Sequence, residues 1–400
     1  MSRIAIIGGG MSGMICAICA AASKDNRITI FERAEDVGKK LLMTGNGKCN
    51  ICNSEVGMLR HYSSSEEALL ELLGKKFNYR HLTDFFENMG LKLYARNGYW
   101  YPYSNQASSV LGILKMRLRE SKVKVVTDRY ISHIEKHGSG KFTVGNEEFD
   151  YVVLAFGGRA GVYKENAFSG REILRELNIQ SSRTFPALTG MLVLQDVRTV
   201  AGVRCEAECI LTDTNKEIWS ERGELQFTDN SLSGIPIFNL SNHIPYEYDN
   251  LSVIVRLFPD LNRAEIIRDI ERVANHYDNR TALQLLSGMI NTKLAGYILM
   301  RSGIDENVRF KNIDDKGKMR IFDCLDKLSF DIKGLREYKN AQIMKGGVLL
   351  SEVDNNYMLK KHKGVFACGE MLDFNGECGG YNLYFAFESG YTIGSYLAAP

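Results

Sequence analysis

The feature that most constrains this chain is a glycine triplet between a short apolar run and a run of small residues. Gly8, Gly10 and Gly13 have the spacing G-x-G-x-x-G, with a β-branched run at 4–7 and small residues at 14–22. In this pattern the first glycine allows a tight turn, the second lets backbone approach a pyrophosphate, and the third lets a helix pack closely on the strand. Free N–H groups at the start of that helix would bind phosphate. The pattern therefore predicts a strand–turn–helix unit that binds a dinucleotide.

A second strand with an acidic end supports this interpretation. Residues 27–31 read Arg-Ile-Thr-Ile-Phe, and Glu32 follows them, 19 residues after the third glycine. An acidic side chain at this spacing accepts hydrogen bonds from ribose hydroxyls in dinucleotide-binding domains. We expect Met11, Ser12 and Arg33 to contact the same ligand.

Composition limits the classes of partner. The chain has 50 Lys and Arg against 48 Asp and Glu, a net charge of +2, so no global field would recruit nucleic acid or a membrane. We predict a small-molecule substrate, with no nucleic-acid or membrane partner. No stretch has the roughly 18 uninterrupted apolar residues of a membrane span. Four glycines interrupt the apolar N-terminal run, which argues against a signal peptide.

Cysteine usage indicates a reducing compartment. The nine cysteines are an odd number spread along the chain, which favours reduced thiols in a cytoplasmic protein over a disulfide framework. The cysteines and scattered histidines lack the spacing of a zinc ribbon, so we predict no metal site. The oligomeric state stays open.

The loop after the second strand is rich in groups that bind anions. Residues 37–53 contain three glycines, three lysines and two cysteines, without helical or strand periodicity. We expect this loop to reach the reactive end of the cofactor, with its lysines facing phosphate or flavin oxygens. The alternative is a solvated, lysine-rich turn. The predicted contacts in this loop are Lys40, Leu41, Gly45, Gly47, Lys48, Cys49 and Asn50.

The order of the later elements favours FAD over NAD alone. A small antiparallel meander is predicted within residues 123–149, and an apolar strand that ends in two glycines follows at 151–158. An NAD-only domain uses helical crossovers throughout, without such a meander. Ala155, Gly157 and Gly158 are the contacts predicted at the end of this strand.

The middle of the chain reads as an insert. Short alternating segments at 190–258 and 326–337 predict a small β-barrel, and residues 259–325 predict helices. One of these helices is expected over 282–302. The prediction is an α/β protein whose Rossmann-like FAD-binding domain, with its β-meander, comprises 1–189 and 338–400. An insert domain at 190–337, a β-barrel plus a helical subdomain, splits it.

The chain returns to the nucleotide domain through a second glycine-rich turn. Residues 364–370 predict a strand that ends in Gly-Glu, and the stretch from 376 to 382 reads Gly-Glu-Cys-Gly-Gly-Tyr-Asn before a helix predicted at 383–397. Free N–H groups at that helix start would face the flavin N1–C2 edge, where negative charge develops on reduction. The predicted contacts are Gly369, Glu370, Gly379, Gly380, Tyr381 and Asn382.

Taken together, these motifs resemble a bacterial family of NAD(P)/FAD-dependent oxidoreductases, which is aminoacetone-oxidase-like and related to the bile-acid dienone reductase flavoproteins. The resemblance spans the chain and implies an FAD domain split by a barrel and helices. This sequence has Lys48, Cys52 and Asp229 where the family often has Arg, Thr and His, which puts a proton-transfer role for that histidine in doubt. The motifs that carry the resemblance lie at 8–13, 32, 40–53, 101–104, 223–228, 232–234, 346–348, 369–370 and 376–382.

The leading hypothesis is an FAD-dependent oxidoreductase. A donor, NADH or NADPH, would bind transiently because the chain has one G-x-G-x-x-G turn. Hydride would pass through flavin N5 to a small apolar or conjugated carbonyl acceptor, enone-like or steroid-like. The predicted catalytic residues are Tyr381 as the first proton donor to test, then Glu377 and Cys49. The aromatic residues at 99–103 either line this site or form a half-buried hairpin.

Three alternatives stay open. The first is an amine-type oxidase that uses dioxygen. The second is a thiol–disulfide reductase, because Cys49 and Cys52 form a C-x-x-C pair. The favoured interpretation, however, is that Cys49 packs beside the flavin and Cys52 is incidental. The third is a non-catalytic flavin-binding or RNA-modifying protein, against which the balanced charge argues.

Overall fold

A computed structural model describes residues 1–57, 60–65, 67–68, 70, 77–161, 170–245 and 247–399. The chain divides into two compact units, one of Met1–Pro186 with Gln342–Pro400 and the other of Ala187–Ala341. The second unit begins three residues before the predicted start of the insert and ends four residues after its predicted end. The sequence also predicts a helix over 66–73 and a basic, aromatic helix surface over 75–81, and both stretches lie partly outside the described residues.

The first unit is built on a five-stranded parallel sheet, which confirms the predicted α/β fold. Its strand order is Val365–Ala367, Tyr151–Leu154, Arg3–Ile7, Arg27–Phe31, Lys124–Val126. All four strand pairs are parallel. Because parallel strands are covered on both faces, the central strands are apolar and almost wholly buried. The carboxyl ends of the strands therefore lie at one edge of the sheet.

The first helix, Met11–Ala20, has small side chains because it is packed closely by its neighbours. Every one of its residues is buried. It packs against the C-terminal helix, Tyr381–Ala398. A Cβ added to Gly390 would stand 2.3 Å from the carbonyl oxygen of Ser12, and one on Gly394 would stand 2.6 Å from that of Cys16. The two helices can approach this closely only because glycine occupies both positions.

The remaining elements of the first unit surround the sheet. Three antiparallel strands within 134–149 form the predicted meander, but Lys124–Val126, predicted as part of it, pairs in parallel with Arg27–Phe31 instead. A second three-stranded sheet joins residues 52–53 to the aromatic hairpin. The sequence also predicts a helix over 107–120, which is present and buries one face, at residues spaced three or four apart. The strands are Cys52–Asn53, His61–Tyr62, Leu93–Arg96, Tyr99–Pro102, Ile134–Lys136, Phe142–Val144, Glu147–Phe149, Phe185–Ala187, Ile343–Lys345 and Asn375–Gly376, and the helices are Lys39–Leu42, Tyr79–Asn88, Ala107–Glu120 and Gly170–Glu176.

The second unit contains the predicted barrel. Its six strands close on one another in the order Met191–Val193, Ser231–Gly234, Lys216–Phe227, Arg204–Asp213, Leu251–Arg256, Leu328–Leu335. Pairing of the first with the last of these strands closes the barrel. Along Leu251–Arg256 buried and half-buried residues alternate, as in a strand with one face toward a core.

Helices complete the second unit, and one of them differs from the prediction. The single helix predicted over 282–302 is wrong, because two helices, Ala282–Leu286 and Thr292–Ser302, occupy this stretch. The break follows from local chemistry: Gly288 is a poor helix former, and the Asn291 side chain accepts a hydrogen bond from the Lys293 N–H, which starts the second helix. The other helices are Ile235–Asn242, Arg263–His276 and Asp315–Asp326.

The loop predicted over 37–53 also contains regular structure. A short helix, Lys39–Leu42, and a tight 3₁₀ turn, Thr44–Gly47, precede the strand at 52–53. The helix has only four residues, so it completes one turn and leaves no periodic pattern in the sequence. Among the described residues, no helix is both long and apolar enough to cross a membrane.

Candidate functional site

The glycine turn after the first strand has the geometry that its sequence predicts. Gly8 has a φ of 114°, and a Cβ there would stand 2.2 Å from the carbonyl oxygen of Ala155. A Cβ on Gly13 would stand 2.0 Å from the carbonyl oxygen of Gly8, whereas one on Gly10 would meet nothing within 4 Å. The first and third glycines thus hold the backbone together. The second borders open space at the start of the helix, where N–H groups are free to bind an anion.

Glu32 closes the same turn from the second strand. Its Oε2 accepts a hydrogen bond from the Gly9 N–H at 2.7 Å, and its Oε1 accepts one from the Ala34 N–H at 2.9 Å. A carboxylate has about four lone-pair sites, so these two bonds leave acceptor capacity for ribose hydroxyls. Met11 and Ser12 are buried in the helix, and Arg33 is half-buried beside Glu32.

A charged pair joins two predicted contact residues across the carboxyl edge of the sheet. The Lys40 Nζ contacts the Glu370 carboxylate, and both side chains are mostly buried. Glu370 Oε1 also accepts a hydrogen bond from the Met344 N–H at 2.9 Å. A Cβ on Gly158 would stand 2.7 Å from the same oxygen, so Gly158 leaves the space that the carboxylate occupies. Gly157, in contrast, has open space around it at a φ of 71°.

The loop around residue 45 has an unusual backbone. Gly45, Asn46, Gly47 and Cys49 all have positive φ, between 53° and 82°. The non-glycine residues in this region store strain, which is characteristic of sites that hold a ligand. Lys48 is exposed, whereas the Leu41 side chain is buried in the core, so Leu41 offers a ligand only its backbone.

Asn50 supplies a further observation at this loop. Its Oδ1 is buried and accepts no hydrogen bond from the described part of the chain. A buried amide oxygen without a donor is destabilising, and a ligand N–H would satisfy it. The open space at Gly10, the acceptor capacity of Glu32 and this amide oxygen all fit a flavin dinucleotide.

The two cysteines of the loop are buried free thiols. Burial raises the pKa of Cys49 to about 11, although a hydrogen bond with Thr44 opposes this shift. Burial also raises the pKa of Cys52, whose thiol donates to the carbonyl oxygen of Asn53 at 3.4 Å. Because the thiolate is the reactive form, both environments oppose thiol chemistry at neutral pH.

The C-terminal glycine turn lies against the strand that follows this loop. Gly379 and Gly380 have φ of 129° and 93°, and a Cβ on Gly380 would stand 2.6 Å from the backbone of Cys52. The Asn53 Nδ2 donates to the carbonyl oxygen of Gly379 at 3.1 Å. Asn382 accepts from the Gly376 N–H and donates to the Gly376 carbonyl. The C-terminal helix begins directly after this turn.

Gly369 occupies the other predicted contact position on this side. It has a φ of 71°, and a Cβ there would stand 2.7 Å from the Ser12 Oγ. Its N–H donates to the Ser389 Oγ at 3.0 Å. Gly369 therefore fixes the last strand against both the first helix and the C-terminal helix.

Glu377 is held by neighbours that the sequence analysis missed. Its side chain is 4% exposed, and its carboxylate binds the Arg60 Nη1 at 2.9 Å and accepts from the Tyr62 hydroxyl at 2.6 Å. The Ser64 N–H and hydroxyl both donate to the buried Asp373, the N–H at 3.0 Å. Arg60, Tyr62 and Ser64 occupy alternate positions in and beside the strand His61–Tyr62, and this period of two was the available signal. The paired strand spans only two residues, too few to detect by pattern.

Tyr381 lies at the start of the C-terminal helix, next to the second glycine turn, and is 2% exposed. Burial raises the pKa of its phenol well above the ordinary value; Arg60 opposes this shift, and Glu55, Glu377 and Tyr99 add to it. A Cβ on Gly379 would stand 2.7 Å from Tyr99 and 3.3 Å from Tyr381, so both rings border this turn.

The rest of the aromatic hairpin packs within the first unit. Trp100 stacks on Tyr79 with ring centroids 5.6 Å apart, and its Nε1 donates to Ser54. The ring centroids of Tyr94 and Tyr101 are 5.9 Å apart. Tyr103 is exposed. Of the hairpin tyrosines, Tyr99 is the one that borders the C-terminal glycine turn.

Comparison with known proteins gives a consistent result over the whole chain. Residues 2–396 match the family described as HI0933-like protein Rossmann domain. The chain is 32% identical over 403 residues to a 3-dehydro-bile acid delta(4,6)-reductase of Clostridium scindens, with 98% of each chain covered. It is 24% identical to a ribosomal RNA dihydrouridine synthase of Escherichia coli, over 98% of this chain and 97% of the other. The fold is similar to that of a 3-ketosteroid-delta4-(5alpha)-dehydrogenase from Rhodococcus jostii, with a TM-score of 0.50, 13% identity and coverage of 100% and 97%.

Proposed function

Because the chain belongs to the HI0933-like family and is an FAD-dependent oxidoreductase, we propose that it reduces a carbon–carbon double bond conjugated to a carbonyl group. The observation that carries this proposal is the full-length 32% identity to a bile-acid delta(4,6)-reductase. The family membership confirms the resemblance predicted from the sequence. Bound FAD would supply hydride transfer through flavin N5, and the proposed donor is NADH or NADPH.

The residues proposed to hold FAD are those that converge at the carboxyl edge of the sheet. The turn at Gly10 would receive the pyrophosphate, and Glu32 would accept from the ribose hydroxyls. Lys40 and Glu370 would border the ribityl chain. The N–H groups after Gly380 would face the flavin edge that becomes negative on reduction.

Reduction of a conjugated double bond needs a proton as well as a hydride, and Tyr381 is the proposed donor. The phenol carries its proton at neutral pH, and burial raises its pKa further, which makes it a weaker acid. The proposal therefore depends on the position of the ring beside the C-terminal glycine turn. Glu377 fits this role less well, because its carboxylate is already engaged by Arg60 and Tyr62. Cys49 fits less well too, because its thiol is completely buried and is hydrogen-bonded with Thr44.

Two half-reactions measured separately test this function. The purified protein is reduced anaerobically with NADH or NADPH while the flavin absorbance is recorded. A 3-oxo-4,6-diene bile acid or cyclohex-2-enone is then added, and flavin reoxidation is followed by stopped flow. We expect both acceptors to reoxidise the flavin, with one carbon–carbon double bond of the acceptor reduced for each flavin oxidised. Reoxidation by dioxygen alone would overturn the proposal and favour the oxidase.

A second candidate function comes from the likeness to ribosomal RNA dihydrouridine synthases. Because of this likeness, the prediction that the protein has no nucleic-acid partner is not supported. The chemistry is related, since dihydrouridine is uridine with the C5–C6 bond saturated, and that bond is conjugated to a carbonyl. Incubating the reduced enzyme with unmodified ribosomal RNA and measuring dihydrouridine by mass spectrometry distinguishes the two substrates.

A further inference from the structure

We propose that a groove beside the C-terminal helix binds a small organic ammonium ion. The groove has a volume of about 540 Å³, which is within the usual range for small-molecule sites. Among the described residues that line it, Glu388 is the one carboxylate, and none is a lysine or an arginine. The charge of the groove therefore suits a cation and not an anion. Its lining includes His81, Asn356, Glu388, Tyr391, Thr392 and Tyr396.

Three segments of the first unit form this groove. The C-terminal helix contributes residues 388, 391, 392, 395 and 396, whose spacing of three or four places them on one face. His81 comes from the helix Tyr79–Asn88, and Asn356 comes from a tight loop in which its N–H donates to the Asp354 carboxylate at 2.8 Å. A different face of the C-terminal helix, at Gly390, packs against Ser12 of the first helix. The groove is thus separate from the glycine turn that is proposed to bind the pyrophosphate.

The surroundings of Glu388 leave room for a cation. Its side chain is 4% exposed. Its Oε2 lies 3.0 Å from the His81 Nδ1, and its Oε1 accepts a hydrogen bond from the Thr392 hydroxyl at 3.3 Å. A neutral imidazole can donate such a bond as well as a protonated one, and a hydroxyl carries no charge. Neither of these partners therefore supplies a permanent positive charge to a carboxylate that burial destabilises. A cation in the groove would supply it.

The other lining groups favour an organic ammonium over a metal ion. Among the residues that the structure describes, no group of three or more His, Cys, Asp and Glu side chains could hold a metal. The Tyr391 ring, with its centroid 4.0 Å from that of His81, and the exposed Tyr396 ring provide aromatic surface that attracts organic cations. The Asn356 amide and the Ser395 hydroxyl provide oxygen acceptors for ammonium N–H groups.

Calorimetric titration of the purified, FAD-loaded protein with benzylammonium chloride at pH 7 tests this site. We expect saturable binding with a Kd of about 1 mM or tighter. Benzyl alcohol, the neutral analogue, should bind roughly tenfold or more weakly, because it makes no charged hydrogen bond with Glu388. Glu388→Gln keeps the shape of the side chain and removes its charge, so it should weaken benzylammonium binding roughly tenfold or more. Tyr396→Ala should weaken it about threefold through loss of one aromatic wall.

Matched variants separate this site from general effects of charge and folding. Glu352→Gln removes another buried carboxylate, which pairs with Lys361 outside the groove, and should leave the Kd unchanged. Melting temperature identifies a variant that has lost structure. Ser395→Lys, at an exposed position of the groove, then tests the site without altering Glu388: it should weaken binding roughly tenfold, whereas Ser108→Lys on another helix should change it less than about twofold.

Three results would overturn the proposal. The first is the absence of saturable benzylammonium binding to the wild-type protein. The second is equal affinity for benzyl alcohol, and the third is an unchanged Kd in folded Glu388→Gln or in Ser395→Lys. None of these results bears on the proposed reductase function, which is tested separately by reoxidation of the flavin.

Discussion

The carbonyl oxygen of Gly8 lies so close to Gly13 that a Cβ on Gly13 would stand 2.0 Å from it. Real side chains do not tolerate such a contact, so the first turn of the helix can meet the strand end only with glycine at position 13. Gly10 lies between these two residues, and a Cβ there would meet nothing within 4 Å. Gly13 is therefore required by the packing of the protein itself, whereas no contact within the protein requires glycine at position 10, where we propose that the pyrophosphate binds.

This difference predicts distinct outcomes for two variants. Gly10→Val should fold normally and lose FAD, because its side chain would occupy the place proposed for the pyrophosphate. Gly13→Ala should lower the melting temperature, because the added methyl group forces strand and helix apart. Circular dichroism melting and the flavin absorbance of the purified variants measure both effects. Full flavin occupancy in Gly10→Val would contradict the proposed position of the pyrophosphate.

The sequence predicts local geometry well where a few adjacent residues determine it. The turn at Gly8–Gly13 and the helix at 107–120 are examples, since spacing alone encodes the first and apolar periodicity the second. Glu32 was also predicted, because its distance from the glycines is set by one strand–helix–strand unit.

Contacts between distant segments could not be predicted in this way. Lys40 and Glu370 were each expected near the cofactor, but their pairing joins residues 330 positions apart. Arg60 was missed for a similar reason, because its ion pair joins it to Glu377, 317 positions away in sequence. Glu377 was predicted to be catalytic, but its carboxylate is buried and accepts hydrogen bonds from Arg60 and Tyr62.

The pair of Lys40 and Glu370 should contribute to both stability and FAD binding. The two side chains are 29% and 19% exposed, so we expect Lys40→Met to cost about 1 kcal/mol of unfolding free energy, near the upper end for partly screened pairs. It should also weaken FAD binding about tenfold. Urea unfolding of the apoprotein and flavin titration separate the two effects.

A cycle with Glu370→Gln provides the control for this pair. If the side chains stabilise each other, the double variant should lose less than the sum of the single losses. Lys39→Met is a matched lysine variant, because Lys39 lies on the same short helix as Lys40 and pairs with the exposed Glu35. An equal loss of FAD affinity in Lys39→Met would show that general positive charge, and not the pair, matters.

Replacement of the loop cysteines should leave flavin chemistry largely intact. With a pKa of about 11, Cys49 is a thiolate in only about one molecule in 10⁴ at pH 7. We therefore expect Cys49→Ser and Cys52→Ser each to retain most of the rates of flavin reduction and enone reduction. A loss above roughly a hundredfold, about 2.7 kcal/mol of barrier, in disulfide turnover by either variant would favour the disulfide-reductase alternative.

The proton donor can be identified by its effect on one half-reaction. Tyr381→Phe removes the phenolic proton and keeps the ring that borders Gly379. We expect it to slow flavin reoxidation by an enone by about 10²-fold, the lower end for general acid catalysis. Flavin reduction by NADH or NADPH should change less than about twofold, because that step needs no proton from Tyr381. Tyr99→Phe is the matched control, since Tyr99 borders the same turn and is not the proposed donor. Equal slowing of both half-reactions in Tyr381→Phe would show that this residue shapes the flavin site and leaves proton transfer to another group.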